Sequence, residues 1–138
     1  MQEIDRLDQI SRRIIGAAIE VRRHLGPGLL ESAYQSCLAF ELKQRGLRIE
    51  EQKVLPVTYK EVMLECGYRL DVVVEDEIIV EIKAVEQLLP IHEAQLLSYL
   101  RLAHKHVGLL VNFHVPVLTK GLKRIVNEFP DAGASKAS

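Results

Sequence analysis

A mixed α/β sandwich built around one sheet is the fold the sequence predicts, and three observations predict it. Apolar residues recur at helical spacing near the N-terminus, at Ile4, Leu7, Ile10, Ile14, Ala18, Val21 and Leu25. Residues 62–74 alternate with the period of a strand. A helix opened by Pro90 separates two short apolar runs, Ile78 to Ile82 and Val107 to Val111, and so permits a parallel crossover between them. With 138 residues, 48% hydrophobic and 27% charged, the chain has the size and composition of one soluble domain with its own core. That domain is expected over residues 1–130, followed by a small, polar, flexible tail over 131–138.

The elements follow in order. The first helix is expected from about Asp5 to Leu25 and is broken by Gly26-Pro27-Gly28. A second should run from Leu29 to Arg45, where Gly46 can cap it in a left-handed conformation. Leu47 to Tyr59 reads as a first strand or a pair, with Pro56 suited to an edge or a bulge. In the next strand Val62, Leu64, Cys66, Tyr68, Leu70, Val72 and Val74 are expected on one face. Glu75-Asp76-Glu77 is a polar turn, and Ile78 to Ile82 the strand after it. A third helix should extend from Pro90 to about His104, and a buried strand from His106 to Asn112. Leu118 to Phe129 is expected as a last short helix.

Composition excludes several functions. Lys plus Arg is 18 and Asp plus Glu 19, a net charge of -1, which excludes a histone-like binder and an acidic disordered segment. The balance conceals a segregation. Between Glu61 and Glu93 stand nine acids and two bases, a local charge of -7; the rest, with 16 bases and 10 acids, carries +6. Two cysteines are too few for a zinc site or a disulfide framework. No apolar run suits a membrane helix, and no signal peptide is visible, so a cytoplasmic location is expected. Phosphate-binding glycine loops are missing, and Leu96 stands where a His-Glu-x-x-His helix would need its second histidine.

The chemistry-bearing pattern is Asp71 followed by Glu81-Ile82-Lys83 on the next strand. Period two puts Glu81 and Lys83 on one face and Ile78, Val80 and Ile82 on the other. Two neighbouring carboxylates suit a hard divalent cation, and a nearby lysine can offset charge on a phosphate oxygen. Asp71 lies beside Glu81 if residues 74 and 78 close a three-residue turn; a two-residue turn separates them unless a bulge intervenes. By spacing alone, a solvated strand face with one Glu–Lys pair accounts for these residues equally well. Gln95 and Tyr99, spaced i and i+4, share a face of the following helix amid leucines, either as a boundary pair or as part of a site. Glu31, in the first turn of its helix, suits the positive end of the helix dipole.

Asp71, Glu81-x-Lys83 and Gln95-x-x-x-Tyr99, in that order, resemble the PD-(D/E)XK nuclease superfamily, specifically members with a QxxxY motif. Gly28-Leu29-Leu30-Glu31-Ser32-Ala33-Tyr34 reads as Gly-x-x-Glu-x-x-Tyr and resembles the GxxExxY family within it. The stretches Cys66 to Asp71, Glu81 to Glu86 and Ile91 to Leu96 are similar to that family too, so the resemblance spans roughly Ile10 to Asn127. Leu70 stands where the motif's name has proline. The resemblance implies a restriction-endonuclease-like αβββαβ core with helices flanking a mixed central sheet. It implies a magnesium or manganese site formed by Asp71 and Glu81 with the Ile82 carbonyl and Glu31. Lys83 would assist the attacking water, and Gln95 and Tyr99 would support the site or contact substrate.

The expected function is metal-dependent hydrolysis of phosphodiester bonds in DNA or RNA. Arg12, Arg13, Arg22, Arg23, Arg101, Lys105, Lys120, Lys123 and Arg124 are candidate phosphate contacts. So small a domain leaves little surface for base-specific reading, so weak sequence preference, a homodimer or a targeting partner is expected. The alternatives are a non-catalytic module that binds nucleic acid or protein on the same fold, and a protein whose acidic patch docks a basic partner.

Overall fold

A computed structural model describes residues 2–128. Helices α1 (Gln2–Leu25) and α2 (Glu31–Gln44) precede strands β1 (Ile49–Tyr59), β2 (Val62–Val74) and β3 (Ile78–Lys83). Helix α3 (Pro90–Ala103), strand β4 (Val107–Asn112), a 3-10 turn (Leu118–Gly121) and strand β5 (Leu122–Val126) complete the order. One five-stranded sheet runs β1-β2-β3-β4-β5. Among the described residues only β3 and β4 pair in parallel, across the α3 crossover; the other neighbours are antiparallel. This is the expected mixed sheet with flanking helices. Among the described residues no helix is long and apolar enough to cross a membrane.

Alternation along the strands gives the sheet two apolar faces. Val72, Val74, Ile78, Val80, Ile82, Val107, Leu109 and Val111 pack with the stripe of α1 and with Tyr34, Leu38 and Leu42 of α2. Leu55, Val73, Ile79 and Leu110 pack on the other side, with Leu96 and Leu100 of α3. Each such side chain contributes about 1.5–3 kcal/mol by leaving water. Gly46 caps α2 as expected: its φ is 82°, and the Leu47 N–H reaches back to the Leu42 carbonyl at 3.0 Å.

Two expectations need correction. Leu118 to Val126 is not a helix but a 3-10 turn and strand β5, which pairs with β4. Within it Leu122 packs toward α1 and Ile125 toward α3, the opposite-face arrangement of a strand, and β5 supplies the partner that the outer backbone edge of β4 requires. The chain crosses β4 so closely that a Cβ on Gly121 would lie 2.3 Å from the Asn112 carbonyl oxygen. Phe129 and the tail expected over 131–138 lie outside the described residues. The second correction concerns β2, whose expected apolar face is not continuous. Leu70 packs on the α3 side while Val72 and Val74 pack toward α1 and α2. Residues 62–69 are exposed and belong to an arm formed with the end of β1. The register shifts between Leu55 and Val57, opposite Gly67 with φ 83°, as anticipated at Pro56, while the change of face between Leu70 and Val72 falls opposite Gln52, whose φ is 50°.

The buried Tyr34 ties α2 to the segment that precedes it. Its ring stacks on Phe113 at 4.5 Å between centroids. Its hydroxyl donates to the Gly26 carbonyl at 2.6 Å and accepts the Leu29 N–H at 3.2 Å. Arg22 donates to the carbonyls of Phe113 (3.1 Å) and Val115 (2.6 Å), so α1 also holds the segment after β4. Tyr34→Phe should cost about 1–3 kcal/mol, since the ring stays and both loop hydrogen bonds go. Urea unfolding would read this as a lower midpoint at unchanged slope, and an unshifted midpoint would contradict it.

Candidate active site

The site forms where two strands part. The β2–β3 ladder pairs Val74 with Ile78, Val73 with Ile79 and Val72 with Val80. Glu75-Asp76-Glu77 closes the hairpin, with the Glu77 N–H donating to the Val74 carbonyl at 2.9 Å. At the next position side chains take over from the backbone ladder. The Asp71 N–H donates to Glu81 Oε2 at 3.1 Å, and the Ile82 N–H donates to Asp71 Oδ2 at 2.9 Å. Alternation puts both acids on the α3 face, with Val73 and Ile79.

The turn that sets this register is under tension. Glu75 and Asp76 have φ of 54° and 55°, values that non-glycine residues seldom adopt. Ionic contacts hold them there. Arg48 meets Glu75 at 3.0 Å and holds its carboxyl below the usual range. Lys105 donates to the Asp76 carbonyl at 2.7 Å and, with Lys53, lowers the Asp76 carboxyl. Much of the acidic stretch is thus paired with the surrounding bases. Asp71 and Glu81 are different: among the described residues neither has an ion-pair partner, and unlike the unpaired, exposed Glu61 and Glu65 they are withdrawn from solvent beside each other.

Glu81 is buried, and burial together with the charge of Asp71 pushes its carboxyl up to about 8. The hydrogen bond from the Asp71 N–H, and after it the charge of Lys83, half-buried at the end of β3, pull the other way. Two adjoining carboxylates with no ion-pair partner among the described residues are a donor set that fits a hard cation. Among the described residues no group of three His, Cys, Asp or Glu side chains gathers closely enough to hold a metal. The pair would therefore leave coordination positions to backbone oxygen and water, as magnesium tolerates.

The remaining residues take distinct places. Glu31 is exposed at the start of α2 and has no hydrogen-bond or ion-pair partner among the described residues. One helical turn on, Gln35 accepts from Gln52 at 2.8 Å, and Gln52 also donates to Asp71 Oδ1 at 3.2 Å. A path of amides thus runs from the face of α2 that bears Glu31 to the site. Tyr99 is half-buried on α3; burial and then the charge of Glu81 raise its hydroxyl pKa. Gln95 is exposed one turn earlier. Of the candidate phosphate contacts, Arg13, Arg22 and Lys105 donate to backbone carbonyls, whereas the side chains of Arg12, Arg101 and Lys120 have no partner among the described residues.

Sequence reasoning missed Gln52 and Asn112. Gln52 has φ 50°, a local backbone feature with no signature in the sequence. Asn112, buried opposite Lys83, accepts the Val85 and His114 N–H groups at 3.0 and 3.2 Å and donates to the Val85 carbonyl at 2.9 Å. It fixes the segment leaving Lys83. An asparagine ending an apolar strand was the available signal.

A family model described as the PD-(D/E)XK nuclease superfamily matches residues 8–125. Neither a curated protein nor a solved structure matches the chain. Asn112→Ala would strand the Val85 donor and acceptor, and it should cost about 2–3 kcal/mol in chemical denaturation. A loss below half of that would show that water replaces the amide.

Proposed function

The chain belongs to the PD-(D/E)XK nuclease superfamily, and on that premise we propose that it is a divalent-metal-dependent nuclease whose site is built on Asp71, Glu81 and Lys83. One observation carries the reading: on adjacent strands the Asp71 N–H donates to the Glu81 carboxylate and the Ile82 N–H donates to the Asp71 carboxylate, and among the described residues neither acid has an ion-pair partner. Asp71 and Glu81 would hold magnesium or manganese, with the Ile82 carbonyl between Glu81 and Lys83 as a further ligand. When bound, the ion would polarise the phosphate and acidify water. Glu31 stands where the superfamily resemblance puts a further acid, and it would reach the ion through water.

The chain's own residues do the rest. Lys83 would orient the attacking water and offset charge gathering on the phosphate oxygen as water adds to phosphorus. The bond from phosphorus to the leaving oxygen breaks, and that oxygen takes up a proton from solvent. Gln95 and Tyr99 line the approach on α3. Arg12, Arg101 and Lys120 are available to phosphates, which positions a backbone without reading sequence.

Incubation with single- and double-stranded DNA and RNA tests the reading. Cleavage is expected with magnesium or manganese and not with chelator. Asp71→Ala and Lys83→Ala should each lower the rate by about 10²-fold or more. Cleavage that survives Asp71→Ala would overturn the assignment. Binding without cleavage in any metal would favour a non-catalytic nucleic-acid module.

A further inference from the structure

Beside the carboxylate pair, a groove of about 370 Å³ lies between α3 and the β1–β2 arm. Val57, Tyr68, Ile91, Gln95, Tyr99 and Leu102 line it, and none of its described lining residues is charged. Tyr68 and Tyr99 stand with ring centroids 5.8 Å apart and planes tilted by 56°. Tyr68 is 43% exposed and Ile91 65%. The walls come from the elements that carry the site. Tyr68 precedes Asp71 by three residues on β2, and the charges of Glu81 and Asp71 act on the Tyr99 hydroxyl.

An uncharged, largely apolar wall gives a phosphate no counter-charge, although Gln95, Ser98 and the tyrosine hydroxyls can donate at its edge. It does suit the face of a nucleobase, which is apolar and aromatic. In an intact duplex those faces are covered by neighbouring bases, and the outside presents phosphates and base edges. Only an unpaired strand can present a base face to a ring beside the scissile bond. The groove is also too small for a double helix, being in the range of small-ligand pockets.

We propose that the Tyr68–Tyr99 groove stacks an unpaired nucleobase, so that the substrate is a single strand or a frayed end rather than an intact duplex. This rests on the nuclease reading and narrows it. Tyr68 binds substrate through its ring, and its hydroxyl is dispensable.

The test separates binding from cleavage. The full chain, in chelator, is titrated into a short single-stranded oligonucleotide carrying a fluorescent adenine analogue, and into the duplex of the same sequence. Single-strand binding with quenching of the analogue is expected, tighter than duplex binding by about ten-fold or more. Tyr68→Ala should weaken single-strand binding by about ten-fold and abolish the quench, whereas Tyr68→Phe should keep both. Retained thermal midpoints would show that both variants fold. Duplex binding of equal strength, absence of binding, or a Tyr68→Ala variant that binds like the parent would overturn the proposal. So would a dimer, seen by sedimentation, that Tyr68→Ala dissolves without any effect on nucleic acid. Cleavage of both strand forms with no effect of Tyr68→Ala would leave the nuclease reading standing and this one refuted. Quenched binding without cleavage in metal would do the reverse.

Discussion

The register of the β2–β3 hairpin is the constraint on which the rest of the site depends. Side chains on a strand alternate, so a slip of one residue would turn Asp71 away from Glu81 and into the α1–α2 core. The three-residue turn prevents that, although it holds Glu75 and Asp76 in a backbone region that costs energy. Arg48 from one side and Lys105 from the other keep the turn in place. These exposed pairs individually stabilise little; their effect is on geometry.

The same register buries Glu81 beside another acid. Water is displaced, like charges meet, and the carboxyl resists ionisation. The Asp71 N–H and the nearby Lys83 only partly offset this. Around the pair the scaffold is firm. Asn112 holds the segment after Lys83, Arg22 holds the segment after β4, and the Tyr34–Phe113 stack joins α2 to the end of β4. Tyr34 is therefore a structural member of the Gly-x-x-Glu-x-x-Tyr heptad, whereas Glu31 in the same heptad is exposed. The acids of the turn, Glu75, Asp76 and Glu77, are paired with bases of the surround, whereas among the described residues Asp71 and Glu81 are not, and Glu81 is the buried one of the unpaired acids.

Much was readable because it depends on local rules. The α1 stripe, the Gly46 cap and Pro90 at the start of α3 each follow from spacing or from one residue's stereochemistry, whereas the three-residue length of the turn was left open by the sequence and decided by the Val74–Ile78 pairing. Leu122 to Val126 was misread because five residues carry no decisive period, and their strand state comes from pairing with β4. The switch of Leu70 to the α3 side was invisible because it falls opposite Gln52, whose left-handed backbone at φ 50° is marked by no glycine or asparagine in the sequence.

By itself the sequence determined the order of elements as far as β4, the mixed sheet and the acids and lysine that could meet. Those follow from periodicity and from chain distances too short to allow many alternatives. Tertiary structure alone decided which acids adjoin. Asp71 and Glu81 do, because an antiparallel ladder sets them opposite each other; Glu31 comes from a helix whose placement depends on packing across the whole core. It also decided that Tyr68 and Tyr99 share one groove. Their meeting needs β2 and α3 to close on the same face of the sheet, and residues thirty-one apart in the chain carry no local record of it.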